Sequence, residues 1–241
     1  MARVVLIGNG KMGKTIEGLI ASRDDMEVVG EVGIENADIL PDGLPEADLA
    51  IDFSNPALLP GLVAYAQRVK CAVVSGTTGL TAEQLADLAD LGKMVPVIHS
   101  GNYSLGVAVL RKLTAEAGKY LAGWDEEVVE THHNQKVDAP SGTAKMLVAA
   151  LDPEGTRPVV YGREGIVGAR TKDEIGVHSL RGGTVAGTHE VHFFGPDEEV
   201  VLTHRASSRT IFAEGALAAA TRLLQREPGF YTFDELMFGA E

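Results

Sequence analysis

"RVVLIGNGKMG", residues 3–13, decides the fold. Arg3 to Ile7 form an apolar run of strand length, the glycines at 8, 10 and 13 open a turn, and Met12, Ile16, Leu19 and Ile20 then recur on one helix face. Strand, glycine turn and helix in that order begin a βαβ unit. Glycine lets a backbone approach a pyrophosphate closely, and the helix N-terminus presents free N–H groups to it. The turn is therefore a candidate dinucleotide-binding loop.

Working outward, "EVVGEV" (27–32), "DLAIDF" (48–53), "CAVVS" (71–75) and "VPVIH" (95–99) read as further strands. Thr81 and Gln84 match a capping box, with Leu80 and Leu85 as a hydrophobic staple, so a helix starts near 82. Five strand–helix units in about 100 residues predict a doubly wound, Rossmann-like parallel sheet. Ligands of such sheets bind beyond the carboxyl ends of the strands, where "GNGKMG", "IDFSNP" (51–56), "SGTTG" (75–79) and "HSGNYS" (99–104) converge. The acid that usually binds the ribose 2′-hydroxyl, about 20 residues on, has two candidates here, Glu31 and Glu35, with Gly33 between them. No arginine stands there for a 2′-phosphate, while Lys11 lies inside the loop, so NADH and NADPH both stay open.

After residue 104 the pattern changes. A helical stretch (105–121) leads to a strand at "EEVVET" (126–131), a helix from about 141 to 151, and mostly strands over 157–205 with glycine-rich turns. This predicts a smaller α+β domain with an antiparallel or mixed sheet. A last helix, "IFAEGALAAATRLLQ" (211–225), is apolar on much of its circumference. The expected division is 1–104, with 208–241 packing back onto it, and 105–207 as a substrate-binding and oligomerisation domain.

Composition narrows the function. Apolar residues at 45% and charged residues at 23% suit a globular chain. No apolar run approaches the roughly 18 residues of a membrane span, and a glycine turn interrupts the first apolar run too early for a secretory signal. Cys71 stands alone, which suits a reducing cytoplasm. A formal net charge of −13 opposes nucleic acid and anionic membrane as partners. An anionic small molecule needs a local cationic patch.

"ETHHNQKVDAPSGTA", residues 130–144, is that patch. Pro140 suits a first helical turn, and the helix start at Ser141, Gly142 and Thr143 favours a carboxylate through its N–H groups and dipole. Lys136 adds a full charge. His132 and His133 are adjacent, so on a strand they point to opposite faces and at most one serves the site. Histidine carries protons near neutral pH, and a lysine beside other cations loses its proton more easily. The cluster reads as anion binding plus proton delivery. His189 and His192, three apart on a strand, fall on opposite faces, which argues against a shared metal. Arg181 beside paired glycines is either a clamp for a second carboxylate or a surface arginine on a turn.

Residues 130–144 resemble the signature of the 4-hydroxy-tetrahydrodipicolinate reductase (dihydrodipicolinate reductase) family. "AIDFSNP", "SGTTG", "SGNYSLGV", "IGVHSLRGGTVAGTHEV" and "HRASSRTIFAEGAL" follow the family's order over nearly the whole chain. The resemblance implies an enzyme of lysine and diaminopimelate synthesis that passes hydride from NADH or NADPH to a cyclic imine dicarboxylate, giving tetrahydrodipicolinate and water. It implies His132 as proton donor and acceptor, Lys136 as second proton donor, and His133, Gly142 and Thr143 as substrate-carboxylate contacts. It places Gly8, Asn9, Gly10, Lys11 and Met12, Gly76, Thr77 and Thr78, and Ser100, Gly101, Asn102 and Tyr103 around the dinucleotide. It implies a homotetramer built through the second sheet; no metal is expected, because no Cys/His spacing suggests one. This glycine loop is one residue shorter than the family's commonest form, and the acidic position after the second strand falls on Gly33. The competing reading is another two-domain NAD(P)-dependent reductase of an amino or imino dicarboxylate.

Overall fold

Strands buried on both faces need helices on each side. In chain order the elements are β1 (Ala2–Ile7), α1 (Lys11–Ile20), β2 (Met26–Val32), β3 (Leu49–Asp52), α2 (Leu59–Val69), β4 (Ala72–Ser75), α3 (Ala82–Leu91), β5 (Pro96–His99), α4 (Leu105–Tyr120), β6 (Asp125–His132), α5 (Gly142–Leu151), β7 (Val159–Tyr161), β8 (Ile175–Arg181), β9 (Gly187–Gly195), β10 (Glu198–Ala206), α6 (Thr210–Leu223), β11 (Gly229–Tyr231) and α7 (Phe233–Phe238). This computed structural model describes residues 1–239; the last two residues of the 208–241 stretch, 240 and 241, lie outside the described residues. The chain forms two compact units: Met1–Ser104 with the segment from Thr210 onward, and Leu105–Arg209.

The first unit holds a parallel six-stranded sheet in the order β11-β5-β4-β3-β1-β2. β3 and β4 are buried along their whole length. On one face Val5, Ile7, Ala50, Val73 and Val97 meet Leu59, Leu62, Tyr65 and Ala66 of α2 and Leu88 and Leu91 of α3. The other face is covered by α1 and α6, which pack on each other as well as on the strands. Helix α6 can lie so close because it offers Ala213, Gly215, Ala216, Ala219 and Ala220. A Cβ on Gly215 would collide with the backbone oxygen of Tyr103. Helix α3 begins with the expected capping box: Thr81 Oγ1 accepts from Gln84 N at 3.2 Å, and Gln84 Oε1 accepts from Thr81 N at 3.0 Å. The sheet has one strand more than the five expected, because β11 adds to its edge beside β5.

The second unit holds a mixed five-stranded sheet, β10-β9-β6-β8-β7, antiparallel across β10-β9-β6 and parallel across β6-β8-β7. Val128, Ile175, Val177, Val191 and Phe193 line one face and pack on Leu110 of α4 and Ala144 and Leu147 of α5. Leu180, Phe194 and Val201 remain exposed, and the strand registers place them with Thr131 and His192 on the opposite face. Among the described residues no helix is long and apolar enough to cross a membrane.

Candidate active site

In the first unit the glycine loop follows β1 directly. Gly8 sits at φ +106°, and a side chain there would strike the Phe53 backbone; one on Gly13 would strike the Gly8 carbonyl. Both positions are closed to any residue but glycine. Gly10 caps α1 without a side chain, so at the helix start the loop offers backbone alone. Asn9 Nδ2 donates to Glu35, whose carboxylate folds back over Gly33. Of the two acids, then, Glu35 stands at the end of β2 beside the loop. Lys11 is exposed.

The loops after β3 and β4 are joined by Asp52. Its carboxylate, 2% exposed, accepts from Ser54 Oγ at 2.5 Å, Ser75 Oγ at 3.0 Å and Thr77 Oγ1 at 2.8 Å. Burial pushes its pKa up, and the three hydroxyl donors oppose that. Thr77 Oγ1 also receives Ser54 N, so this side chain is engaged inside the protein. A Cβ on Gly76 would enter the Phe53 ring; Thr78 is exposed. In the loop after β5, Ser100 Oγ donates to the Asn102 carbonyl, and Gly101 is exposed. Tyr103 is a core residue: its hydroxyl donates to the Ser75 carbonyl at 2.7 Å, and its ring packs on Phe53 and Phe233. Tyr103 and Thr77 thus shape the loops, and the exposed positions around them are Asn9, Gly10, Lys11, Thr78 and Gly101.

In the second unit the cluster forms where β6 ends. Alternation along β6 puts Glu126, Val128, Glu130 and His132 on its buried face. His132 Nδ1 lies 2.6 Å from Glu130 Oε2. Arg181, paired with His132 across the parallel β6–β8 register, grips both oxygens of Glu130 at 2.8 Å and also donates to the Asp138 carbonyl at 2.7 Å. Ser141 N donates to Glu130 Oε1 at 3.1 Å. Burial opposes ionisation of Glu130, but Arg181 and His132 hold its pKa down to about 2. For His132, burial lowers the pKa, Glu130 raises it, and Lys136 and Arg181 lower it again.

Helix α5 starts against this group. Ser141 is its N-cap, accepting from Ala144 N at 3.1 Å, and its hydroxyl also meets His189 Nε2 at 3.0 Å. That hydroxyl is therefore committed inside the protein, and the first turn at Gly142 and Thr143 is what α5 offers a ligand. His189 is buried edge-on to His132, with ring centroids 5.1 Å apart. Burial and the neighbouring His132 pull its pKa down to about 4. His133 has left the strand: its N donates to the Val185 carbonyl at 2.8 Å, and its Nδ1 accepts from Gln135 N. Lys136 Nζ pairs with Asp138 Oδ1 at 2.7 Å, so a carboxylate attends the lysine. His189 and His192 fall on opposite faces of β9, the latter on Glu199 at 2.6 Å. Among the described residues no group of three or more His, Cys, Asp or Glu could hold a metal ion.

His132, His133, Lys136 and the start of α5 thus come together in one unit, and the loops after β1, β4 and β5 in the other. Two residues given no role on sequence grounds prove central, Asp52 and Glu130, and the Ser141 hydroxyl serves as a helix cap. A charge inside the apolar strand β3 was the available signal for Asp52, whereas β6 holds several acids and nothing singled out Glu130. The carboxylate that Arg181 clamps belongs to the chain itself.

The chain matches the family models described as "Dihydrodipicolinate reductase, N-terminus" over residues 2–103 and "Dihydrodipicolinate reductase, C-terminus" over 106–237. It is 43% identical to the 4-hydroxy-tetrahydrodipicolinate reductase of Caldanaerobacter subterraneus subsp. tengcongensis, over 98% of each chain. This chain belongs to the dihydrodipicolinate reductase family. The 4-hydroxy-tetrahydrodipicolinate reductase of Akkermansia muciniphila is 42% identical, again over 98% of each chain. In fold the chain resembles the solved dipicolinate-bound dihydrodipicolinate reductase from Paenisporosarcina sp. TG-14, with a TM-score of 0.78 and 22% identity over 99% of this chain and 100% of that one. It also resembles a myo-inositol dehydrogenase from Corynebacterium glutamicum, with a TM-score of 0.59 and 15% identity over 99% and 93%. A reductase on a Rossmann-like sheet uses a nicotinamide cofactor, and the loops leave room for one: a Cβ on Gly10 or Gly101 would meet no protein atom within 4 Å, so the backbone there is open to a ligand.

Proposed function

We propose that this chain reduces 4-hydroxy-tetrahydrodipicolinate, by way of dihydrodipicolinate, to tetrahydrodipicolinate, as a step of lysine and diaminopimelate synthesis. The observation that carries the reading is the end of β6, where His132 sits on a buried carboxylate, with Lys136 and the first turn of α5 beside it. The bound nicotinamide supplies the hydride. His132 then gives the proton that completes the reduced ring, with Lys136 as the second proton donor. His133, with Gly142 and Thr143 at the positive end of the α5 dipole, holds the substrate carboxylates. Asp138 holds the Lys136 ammonium at the cluster. In the first unit Gly8, Asn9, Gly10, Lys11 and Met12, Gly76 to Thr78 and Ser100 to Asn102 surround the dinucleotide, and Tyr103 supports that last loop from beneath.

We further infer that NADH is preferred over NADPH. Glu35, held against the glycine loop by Asn9, is placed to receive a ribose 2′-hydroxyl and to repel a 2′-phosphate. A homotetramer follows from the same reading, built through the uncovered face of the second sheet where Leu180, Phe194 and Val201 are exposed.

The test of the reaction is NADH oxidation on adding freshly prepared 4-hydroxy-tetrahydrodipicolinate. Oxidation with other amino or imino dicarboxylates but none with this substrate overturns it. Titrating the two cofactors side by side should give at least a tenfold tighter Kd for NADH, about 1.4 kcal/mol. Glu35→Ala should narrow that gap. Equal affinities in the unaltered chain sink the cofactor reading.

A further inference from the structure

We infer that Glu130, clamped by Arg181, is a positioning residue that fixes His132 with a proton on Nδ1, so that Nε2 is the atom exchanging protons with substrate. The inference rests on reading His132 as the proton carrier. Its physical content lies in how Glu130 is used up. Oε1 accepts from Arg181 and from Ser141 N; Oε2 accepts from Arg181 and faces His132 Nδ1. A carboxylate receiving three N–H groups, two of them from a guanidinium, and 0% exposed, is ionised and can only accept. The proton in the 2.6 Å contact therefore belongs to Nδ1. Neutral His132 presents a lone pair at Nε2, and protonated His132 presents Nε2–H. In either state the ring keeps the same orientation.

Three further features agree. The other charged or titratable groups facing the imidazole are Lys136 from the following loop, Arg181 from β8 and His189 from β9. His189, neutral near pH 7, adds no charge there, which leaves Glu130 as the anion of the group. Arg181 has no idle end: one terminal nitrogen also donates to the Leu180 carbonyl and the other to the Asp138 carbonyl, so the clamp ties Glu130 to the loop carrying Lys136. On the Nε2 side stands Gly187, where a Cβ would lie 3.1 Å from Nε2. Glycine keeps that nitrogen open.

The variant that tests this is Glu130→Gln, which keeps the size and removes the charge. It should lower kcat by roughly 10–100-fold, a fraction of the ~10²–10⁴ that proton transfer contributes, with little change in KM. Without the carboxylate the imidazolium is less stable, so the alkaline limb of the kcat–pH profile should move to lower pH. A merely structural glutamate would cost active enzyme and Tm and leave that limb in place. Should the variant not fold, ¹⁵N-histidine spectra of the unaltered chain decide instead: neutral His132 must carry its proton on Nδ1, and an Nε2–H tautomer overturns the inference. His132→Gln separates the two levels. If it keeps full kcat, His132 is not the proton carrier and both readings fall. If it is crippled while Glu130→Gln keeps kcat and its pH limb, only the positioning role falls.

Discussion

Lys136 is held by one contact with a carboxylate two residues on, at the edge of the cluster, whereas His132 is locked from behind by Glu130. The difference predicts different kinds of loss. Lys136→Ala removes a proton donor and leaves the buried group intact. It should reduce kcat by about 10²-fold or more, with Tm and NADH affinity nearly unchanged. Single-turnover rates and cofactor titration of the variant check this, and a fully active Lys136→Ala enzyme ends its assigned role. Glu130 and Asp52 show what sequence could and could not say at this scale. Asp52 ends an apolar strand, a visible oddity, while Glu130 is one acid among several in β6, and what makes either tolerable is a partner far along the chain: Thr77 and Ser75 for Asp52, Arg181 for Glu130. Burying such a charge is favourable only when those partners arrive.

Among the elements, β6 carries an unusual load. Its buried face holds Glu126, Glu130 and His132, with Val128 as the apolar member, and its other face adds Glu127, which binds Arg163, Arg170 and His178. Burial opposes ionisation of Glu127, but these three partners bring its pKa down to about 2 from 4.5. Glu130 is lowered to about 2 as well, and His189, on the neighbouring β9, from 6.5 to about 4. All three folded-state values lie below the ordinary ones, so the unfolded chain binds the extra protons and stability falls as pH falls. The contribution of His189 is lost between about 6.5 and 4, and those of the two glutamates between about 4.5 and 2. Trp124, the chain's one tryptophan, packs against the core of this sheet and reports on it. Its fluorescence should show the urea midpoint of the second unit dropping steadily from pH 6.5 to 4 and further below. Glu127→Gln should flatten only the lower part of the curve. A midpoint independent of pH would contradict the assignment.

For the whole molecule, a formal charge of −13 has to coexist with a dianionic substrate. On the proposed reading the fold meets this with His132, His133, Lys136 and one helix start at the end of a single strand, Arg181 being spent on Glu130. Assembly is the other property at this scale: sedimentation should give a mass about four times the 25.5 kDa of one chain. Leu180→Glu together with Phe194→Glu should return monomers, whereas monomers in the unaltered chain refute the tetramer. Much of this was legible beforehand. The glycine loop, the Thr81–Gln84 capping box, the strand alternation and the start of α5 at Ser141 are decided within a few residues, by backbone sterics and local hydrogen bonds, although Pro140 lies before that cap and not in the first turn. Other features have no local cause. The three-residue β11 exists only through its pairing with β5, the commitment of Tyr103 to the core depends on Phe53 and Phe233, and the clamp on Glu130 needs Arg181 brought level with His132 from 49 residues away by the β6–β8 register. Sequence alone determined most of the elements, the fold class and the family. Which nitrogen of His132 is free, and which carboxylate Arg181 holds, were decided by tertiary structure, because strand register and burial are properties of the folded whole.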